Sequence, residues 1–349
     1  MAMVAQYSSL SRPTRPLCSV CIANYNGVAL LADCLDSVLA QNGDLEFEII
    51  VHDDASTDGS VAWLRERYPQ IELLASKENV GFCVSNNRMV EYARGEFVLL
   101  LNNDAALFPD ALATLRRCAD QQTPKGILTL PQYNWQTGEL VDRGCLLDPF
   151  CNPVPNLDAA RVDVAMVPGA GLWIPRAAWN ELGGFPEWIE SIGEDLFLCC
   201  QARLRGLPVQ TTRESGYRHW QGKSFGGNKL QDGQLQSTFR RRRLSERNKT
   251  AVLFVTTPGP LMWPLLALHL TAMAMEGLLV SMINSDVRIW KEIYWPAITL
   301  PLREFGILRT RRGQLQSTRR GGLRIYLQPV VFLPQKILLL LRHGMPKIR

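Results

Sequence analysis

The feature that most constrains this chain is an alternation of strand-like and helix-like segments, repeated four times within the first hundred residues. Leu17 to Ala23 is an apolar run of strand length, broken by Asn24-Tyr25-Asn26-Gly27. Through Val28 to Leu39, the residues Leu30, Leu31, Leu35, Val38 and Leu39 recur at helical spacing. Glu46 to Val51 reads as a second strand, followed by His52-Asp53-Asp54, and Ser60 to Tyr68 as a helix that Pro69 stops. Ile71 to Leu74 is a short strand, and Ser85 to Ala93 is a helix closed by Gly95. Phe97 to Leu101 is a wholly apolar strand that runs into Asn102-Asn103-Asp104. Strands separated by helices return by crossovers, so they pair in parallel with helices on both faces. Ligands of such sheets bind beyond the carboxyl ends of the strands. The clusters Asn24-Tyr25-Asn26, Asp53-Asp54 and Asn102-Asn103-Asp104 are therefore expected to converge on one crevice.

Residues 121–165 read as loops rich in Pro, Gly, Asn and Asp. Val167 to Ile174 is a further strand in which Gly169 and Gly171 mark a close approach. Ala177 to Leu182 is a short helix, and Glu194-Asp195 opens another with Leu196, Cys200 and Leu204 on one face. A loop then carries His219-Trp220 and Lys223 to Gly227.

Beyond Phe239 the character changes. Arg240 to Arg243 is a basic run, Leu261 to Ile283 is apolar apart from Pro264, His269 and Glu276, and Leu323 to Leu341 is apolar again. Residues 1–239 hold 19 Lys and Arg against 28 Asp and Glu, whereas residues 240–349 hold 19 against 5. An acidic body with a basic tail points to an anionic partner for the tail. Nucleic acid fits poorly, because the body is acidic and no aromatics interleave with the basic run. The nine cysteines lie in apolar segments and read as reduced core residues. Cys18 and Cys21 form a CxxC, but in a strand they face opposite ways. Residues 1–16 contain no apolar leader segment, which places the body in the cytosol as an expectation.

Four acidic or basic positions suit chemistry. Asp54, just past a buried strand, suits the N3–H of a uracil or thymine ring, although turn chemistry also explains it. Asp104 offers the hard oxygen that a diphosphate-bridging cation requires, or else a helix cap. Glu194-Asp195 supplies a general base for an acceptor hydroxyl, or simply answers a helix dipole. His219 serves as a second metal ligand only if the fold brings it to Asp104.

The order and spacing of these motifs resemble glycosyltransferase family 2, with the GT-A fold, and within it the rhamnosyltransferase-like bacterial members. The likeness covers residues 17–255. It is carried by Ser19 to Gly27, by Val51 to Ser60, by Asn79-Val80-Gly81-Phe82 with Asn86-Asn87, by Asn102-Asn103-Asp104, by Gly183-Gly184-Phe185, by Gly193 to Leu196, by His219 to Gly226, and by Arg247-Asn248.

The resemblance implies an α/β GT-A fold: a Rossmann-like, mostly parallel sheet with helices on both faces. Residues 1–16 would be a flexible tail, residues 17–250 the catalytic domain, and residues 251–349 a basic, apolar, helical membrane-associating region. Asp195 would be the catalytic base. Asp104 and His219 would hold Mg2+ or Mn2+. Asn24, Tyr25, Asn26, Asp54, Asn79, Gly81, Asn86, Asn103, Gly169, Gly171, Trp173 and Glu194 would contact substrate.

The implied reaction is an inverting transfer from a nucleotide-sugar, rhamnose first among donors, to a glycan or lipid-linked acceptor in cell-surface polysaccharide synthesis. The Gln-x-x-Arg-Trp motif of processive synthases is missing, so one or a few transfers are expected. Asn102 stands where the metal motif usually has its first acid. The tail would bind the inner membrane at its cytoplasmic face; Leu261 to Ile283 is long enough to span, Pro264 and Glu276 speak against a clean span, and an in-plane or hairpin arrangement fits as well. The competing reading is an inactive, membrane-bound sugar-nucleotide scaffold.

Overall fold

The structure is a computed structural model and describes residues 4–9, 12–220, 229–231, 234–344 and 347–348. Residues 221–228 of the loop after His219 thus lie outside the described residues. The chain runs β1 (Val4–Tyr7), β2 (Cys18–Asn24), α1 (Val28–Leu39), β3 (Phe47–Asp53), α2 (Ser60–Arg67), β4 (Glu72–Ser76), α3 (Phe82–Tyr92) and β5 (Phe97–Asn102). It continues through β6 (Ala105–Leu107), α4 (Ala111–Gln121), β7 (Ile127–Thr129), β8 (Gln132–Asn134), β9 (Leu140–Asp142) and a hairpin of β10 (Cys145–Leu147) with β11 (Pro153–Pro155). Then follow β12 (Gly171–Pro175), α5 (Arg176–Leu182), α6 (Glu194–Leu204), β13 (Val209–Thr211) and β14 (Tyr217–His219). The segment 121–165, read as loop, therefore contains five short strands.

The central sheet has the order β1-β4-β3-β2-β5-β12-β7-β13. β4, β3, β2 and β5 are parallel, as the crossovers require. β12 lies antiparallel between β5 and β7, and β1 closes the far edge antiparallel to β4. The sheet is thus parallel at its centre and mixed toward both edges. Side chains alternate across it: Val20, Ile22, Leu99 and Leu101 join the core under α1 and α4, while Cys21, Leu100 and Leu172 join the core with α5 and α6. Both faces are covered, which is why these strands read as unbroken apolar runs.

Residues 1–16 were expected to be flexible, but β1 pairs with β4, and Arg12 is drawn onto the sheet. Its guanidinium meets Glu48 at 2.6 Å and lies 4.1 Å from the centroid of the Tyr92 ring. Glu48 and Glu72 are buried carboxylates, and a desolvated acid needs a cation or donors. The tail supplies them.

The C-terminal part is helical: α7 (Phe239–Thr256), α8 (Met262–Ile283), α9 (Trp295–Arg303), α10 (Phe305–Ser317), α11 (Leu323–Leu327) and α12 (Gln335–His343). The expected boundary at residue 250 falls inside α7. Nothing in its sequence breaks the helix before Pro258, and Ala251 to Val255 are buried in the same core as α6. The α/β body and the first C-terminal helix therefore share one core.

α8 buries Met262, Leu266, His269, Met273, Gly277 and Val280 along one stripe. Its other side exposes Trp263, Leu268, Met275, Leu278 and Met282. Glu276 turns inward. It pairs with Arg242 and with Lys336 of α12, in a cluster centred on Glu246, which Arg242, Lys249 and Lys336 surround.

Candidate active site

The three polar strand ends do converge. Parallel register sets Asn24 beside Asp53 and Ala23 beside Asn102. Asn24 donates to Asp53 Oδ2 at 2.9 Å and accepts from Asn103 Nδ2 at 2.8 Å, so one buried amide ties all three strands. Gly27 sits against this knot: a Cβ there would stand 2.2 Å from Asn103 Nδ2. The turn after β3 is locked onto the turn after β2. Ser56 donates its amide to Asp53, Asn26 donates its amide to Ser56 Oγ, and Thr57 donates its amide to Asn26. Asp58 accepts from Val28 N at 2.9 Å and Ser60 N at 3.0 Å, joining the first residues of α1 and α2.

Asp54 lies at this crevice, buried, and accepts from Val80 N at 2.7 Å and Gly81 N at 2.8 Å. Burial raises its pKa above the ordinary carboxylate range, against the opposing pull of those two N–H groups and Arg88. The Asn79-Val80-Gly81-Phe82 segment is thereby folded over Asp54, with Gly81 at φ 86°. A carboxylate offers about four lone-pair sites, so acceptor capacity remains for a base. Tyr25 and Asn79 stand exposed at the rim, and Asn26 is exposed with its side chain engaged on Thr57. Asn86 bonds Phe82 O within its own helix. Its neighbour Asn87 makes the longer reach, both donating to and accepting from the Phe185 backbone, and so binds α3 to the Gly183-Gly184-Phe185 turn.

Asp104 and His219, 115 residues apart, meet at 3.0 Å. The meeting follows from a second sheet of order β6-β14-β8-β9, in which His219 pairs with Ala105, next to Asp104. Gln132 Oε1 lies 3.2 Å from His219 Nδ1 and accepts the Tyr217 hydroxyl at 2.8 Å. An acceptor at Nδ1 fixes that proton there and leaves Nε2, which faces Asp104, available as a ligand. Asp142 stands behind Gln132, and burial raises its pKa to about 6. One carboxylate and one imidazole suit a divalent cation whose remaining positions a diphosphate and water would fill.

Asp195 closes the crevice from the other side. Its Oδ2 accepts from Gly169 N at 3.1 Å, and Ala170 O in turn accepts from Asn102 N at 3.3 Å, so two residues link Asp195 to the end of β5. Burial raises the pKa of Asp195, while the Gly169 and Leu196 amides and Arg241 oppose the shift. Glu194 is buried, its Oε2 has no hydrogen-bond partner, and burial with the neighbouring Asp195 raises its pKa to about 8. The pair therefore keeps a proton at neutral pH. Backbone donors reach both carboxylates, and we take the proton to rest on Glu194 because its Oε2 stays buried and unpaired.

Two expected contacts are corrected. Trp173 is fully buried, with its ring stacked 4.8 Å from Phe97, because strand alternation turns it into the core beneath the sheet. Gly171 lacks a side chain for the sake of Tyr217, whose ring would stand 2.9 Å from a Cβ, and not for a ligand. Two residues escaped the sequence reading as parts of this site: Gln132 and Arg241. Arg241 was visible only as one of a basic run. Gln132 lay in a segment read as loop.

Residues 19–140 match the family described as Glycosyl transferase family 2. An uncharacterized Mycobacterium tuberculosis protein is 41% identical over 106 residues, covering 30% of this chain and 33% of its own. Chondroitin synthase of Pasteurella multocida is 26% identical over 200 residues, 52% of this chain and 18% of its own length. The chain thus spans a third or less of these relatives. Among solved structures, GalNAc-T7 with UDP, GalNAc and Mn2+ aligns with a TM-score of 0.54 at 16% identity, over 69% of this chain and 48% of that one. The likeness is one of fold.

Proposed function

We propose that this chain, whose residues 19–140 match Glycosyl transferase family 2 and whose fold is of the GT-A kind, moves one sugar from a nucleotide-sugar to an acceptor hydroxyl with inversion. The observation that carries this reading is the meeting of Asp104 and His219 at the carboxyl end of β5, on the crevice that Asp195 borders. Asp54 and the turn folded over it offer the base pocket. Asp104 and His219 would hold a divalent cation, which when bound offsets charge on the departing nucleoside diphosphate. Asp195, kept ionised beside a protonated Glu194, takes the proton of the acceptor hydroxyl as that oxygen attacks the anomeric carbon. A single carboxylate suffices, since direct displacement needs no sugar–enzyme intermediate. Rhamnose is the first donor to test, on the strength of the motif resemblance, and a lipid-linked or glycan acceptor fits the apolar C-terminal surface.

The same surface supports peripheral membrane binding. Gly259–Ile283 is long and apolar enough to cross a bilayer. Along its length, however, one stripe of α8 packs on the protein and Glu276 pairs inward, leaving a single apolar face with Trp263 and Met282 outward. The exposed apolar side is the surface proposed to rest against the membrane, a reading carried by the packing of the opposite, equally apolar stripe on the protein.

The test is a donor panel with Mn2+ or Mg2+ and a membrane-lipid extract as acceptor, reading released nucleoside diphosphate against Asp195→Asn. Turnover of one donor, lost in the variant, is expected. Turnover of none by folded protein would favour the scaffold reading. Protein that stays in the supernatant with phosphatidylglycerol vesicles would remove the membrane part alone.

A further inference from the structure

The turn that delivers Asp195 is strained. Between the Trp188 region and α6, Glu190 has φ 64°, Ile192 has φ 66° and Gly193 has φ 110°. Glycine takes such angles freely, but a β-branched residue does so only when its surroundings force it. The surroundings here are one side chain. Asn248 of α7 is fully buried, and its Nδ2 lies 3.0 Å from Ile189 O, 3.0 Å from Ser191 O and 2.9 Å from Ile192 O. One amide group thus shares its two N–H donors among three carbonyls of the turn, of which Ile189 O also accepts from Ser191 N at 2.8 Å. Gly193 packs directly against it, with 3.5 Å from an added Cβ to Asn248 Cβ. The neighbouring Arg247 holds Trp188 O at 3.1 Å, and Arg311 of α10 lies 4.3 Å from the centroid of the Trp188 ring.

Gly193 is the N-cap of α6, and the next two residues are Glu194 and Asp195. The place of the Asp195 carboxylate is therefore inherited from the turn. We infer that Asn248 is a positioning residue: by gathering these carbonyls it holds Ile192 in its strained conformation and so sets Asp195 against the crevice. The C-terminal helices then serve catalysis directly, as the brace of the base, and not only as a surface for docking. The inference rests on the reading of Asp195 as base.

The experiment compares wild type, Asn248→Ala, and Asn248→Ala combined with Ile192→Gly in the full chain. Amide exchange across 189–196 is expected to accelerate in Asn248→Ala while the 52–60 turn stays protected. With the donor selected above, kcat is expected to fall at least about 30-fold with donor KM within about threefold, as a misplaced catalytic group requires. Glycine at 192 removes the strain that the clamp opposes, so the double variant is expected to regain at least about fivefold in kcat. Faster exchange over the whole chain alike, unchanged exchange at 189–196, or a double variant no faster than Asn248→Ala would each overturn the inference. Asp195→Asn in the same assay separates the two readings. Full activity there removes the base assignment, while the exchange data still decide whether Asn248 holds the turn.

Discussion

The two walls of the crevice are built by different means. On the side proposed for the donor, Asn24, Asp53, Ser56 and Asp58 at the ends of β2 and β3 bond to one another or to the first residues of α1 and α2, and Asp54 reaches across to the Val80 and Gly81 amides. On the acceptor side, Glu194 and Asp195 depend on Gly169, on Arg241 and on a turn held by Asn248, none of them local. The side chains named on the first wall all have hydrogen-bond partners. On the second, Glu194 keeps an unpaired buried oxygen and Ile192 a strained backbone. The difference teaches that the proposed nucleotide pocket is built largely from strand-end motifs set side by side in the sheet, whereas the carboxylates proposed to react take their properties from α7 and the turn it holds.

The largest expected effect lies on the second wall. Asp195→Asn keeps the shape and removes the base, so kcat falls by about 10²–10⁴ while donor KM changes little. A fall in donor affinity instead of kcat would move Asp195 to the donor side and dissolve the contrast. Next comes the ion cluster behind α7. Glu246 is fully buried among Arg242, Lys249 and Lys336. Glu246→Gln leaves those cations with Glu276 as their main counter-charge, and a loss of about 3–5 kcal/mol in denaturant unfolding is expected. A loss below about 1 kcal/mol would mean that α7 does not depend on its distant partners.

This contrast also explains what was legible beforehand. The α/β sheet and the crevice followed from strand-end motifs, since a strand end fixes where a side chain goes, whereas the pairing of Asp104 with His219 came only from the family resemblance, because a separation of 115 residues says nothing of distance in the fold. Trp173 and Gly171 were misplaced because a strand's facing depends on its neighbours: β12 inserts antiparallel beside β5, and Gly171 then faces Tyr217. Asn86 was preferred to Asn87 because one helical step decides which of them reaches Phe185. The tail around Arg12 read as flexible because the buried acids that recruit it, Glu48 and Glu72, are on strands distant in sequence. Arg241 showed only as one of a basic run and Asn248 only as part of the Arg247-Asn248 likeness, because both act from α7 on α6, a neighbour in the fold and not in the sequence.

A smaller effect tests the corner where the walls meet. Gln132→Leu removes the acceptor that orients His219 without touching Asp104. Loss of such a partner typically weakens a metal site about 10–100-fold, read here as the Mn2+ concentration needed for half-maximal turnover. An unchanged requirement would show that the orientation of His219 does not matter to the site.

The smallest effect probes the unpaired acid itself. Glu194 has a folded pKa raised from 4.5 to about 8, chiefly by burial and then by Asp195. Between those values the folded chain keeps a proton that the unfolded chain releases, so stability is full below pH 4.5 and is lost as pH rises through about 8. Glu194→Gln cannot ionise and escapes this loss. The variant's advantage in melting temperature is therefore expected to be near zero at the acid end of that window and to reach about 2 °C or more at its alkaline end. A difference that stays flat with pH would place the shared proton on Asp195. The base would then be neutral in the resting enzyme, and the acceptor wall would need Arg241 to expel that proton before the reaction begins.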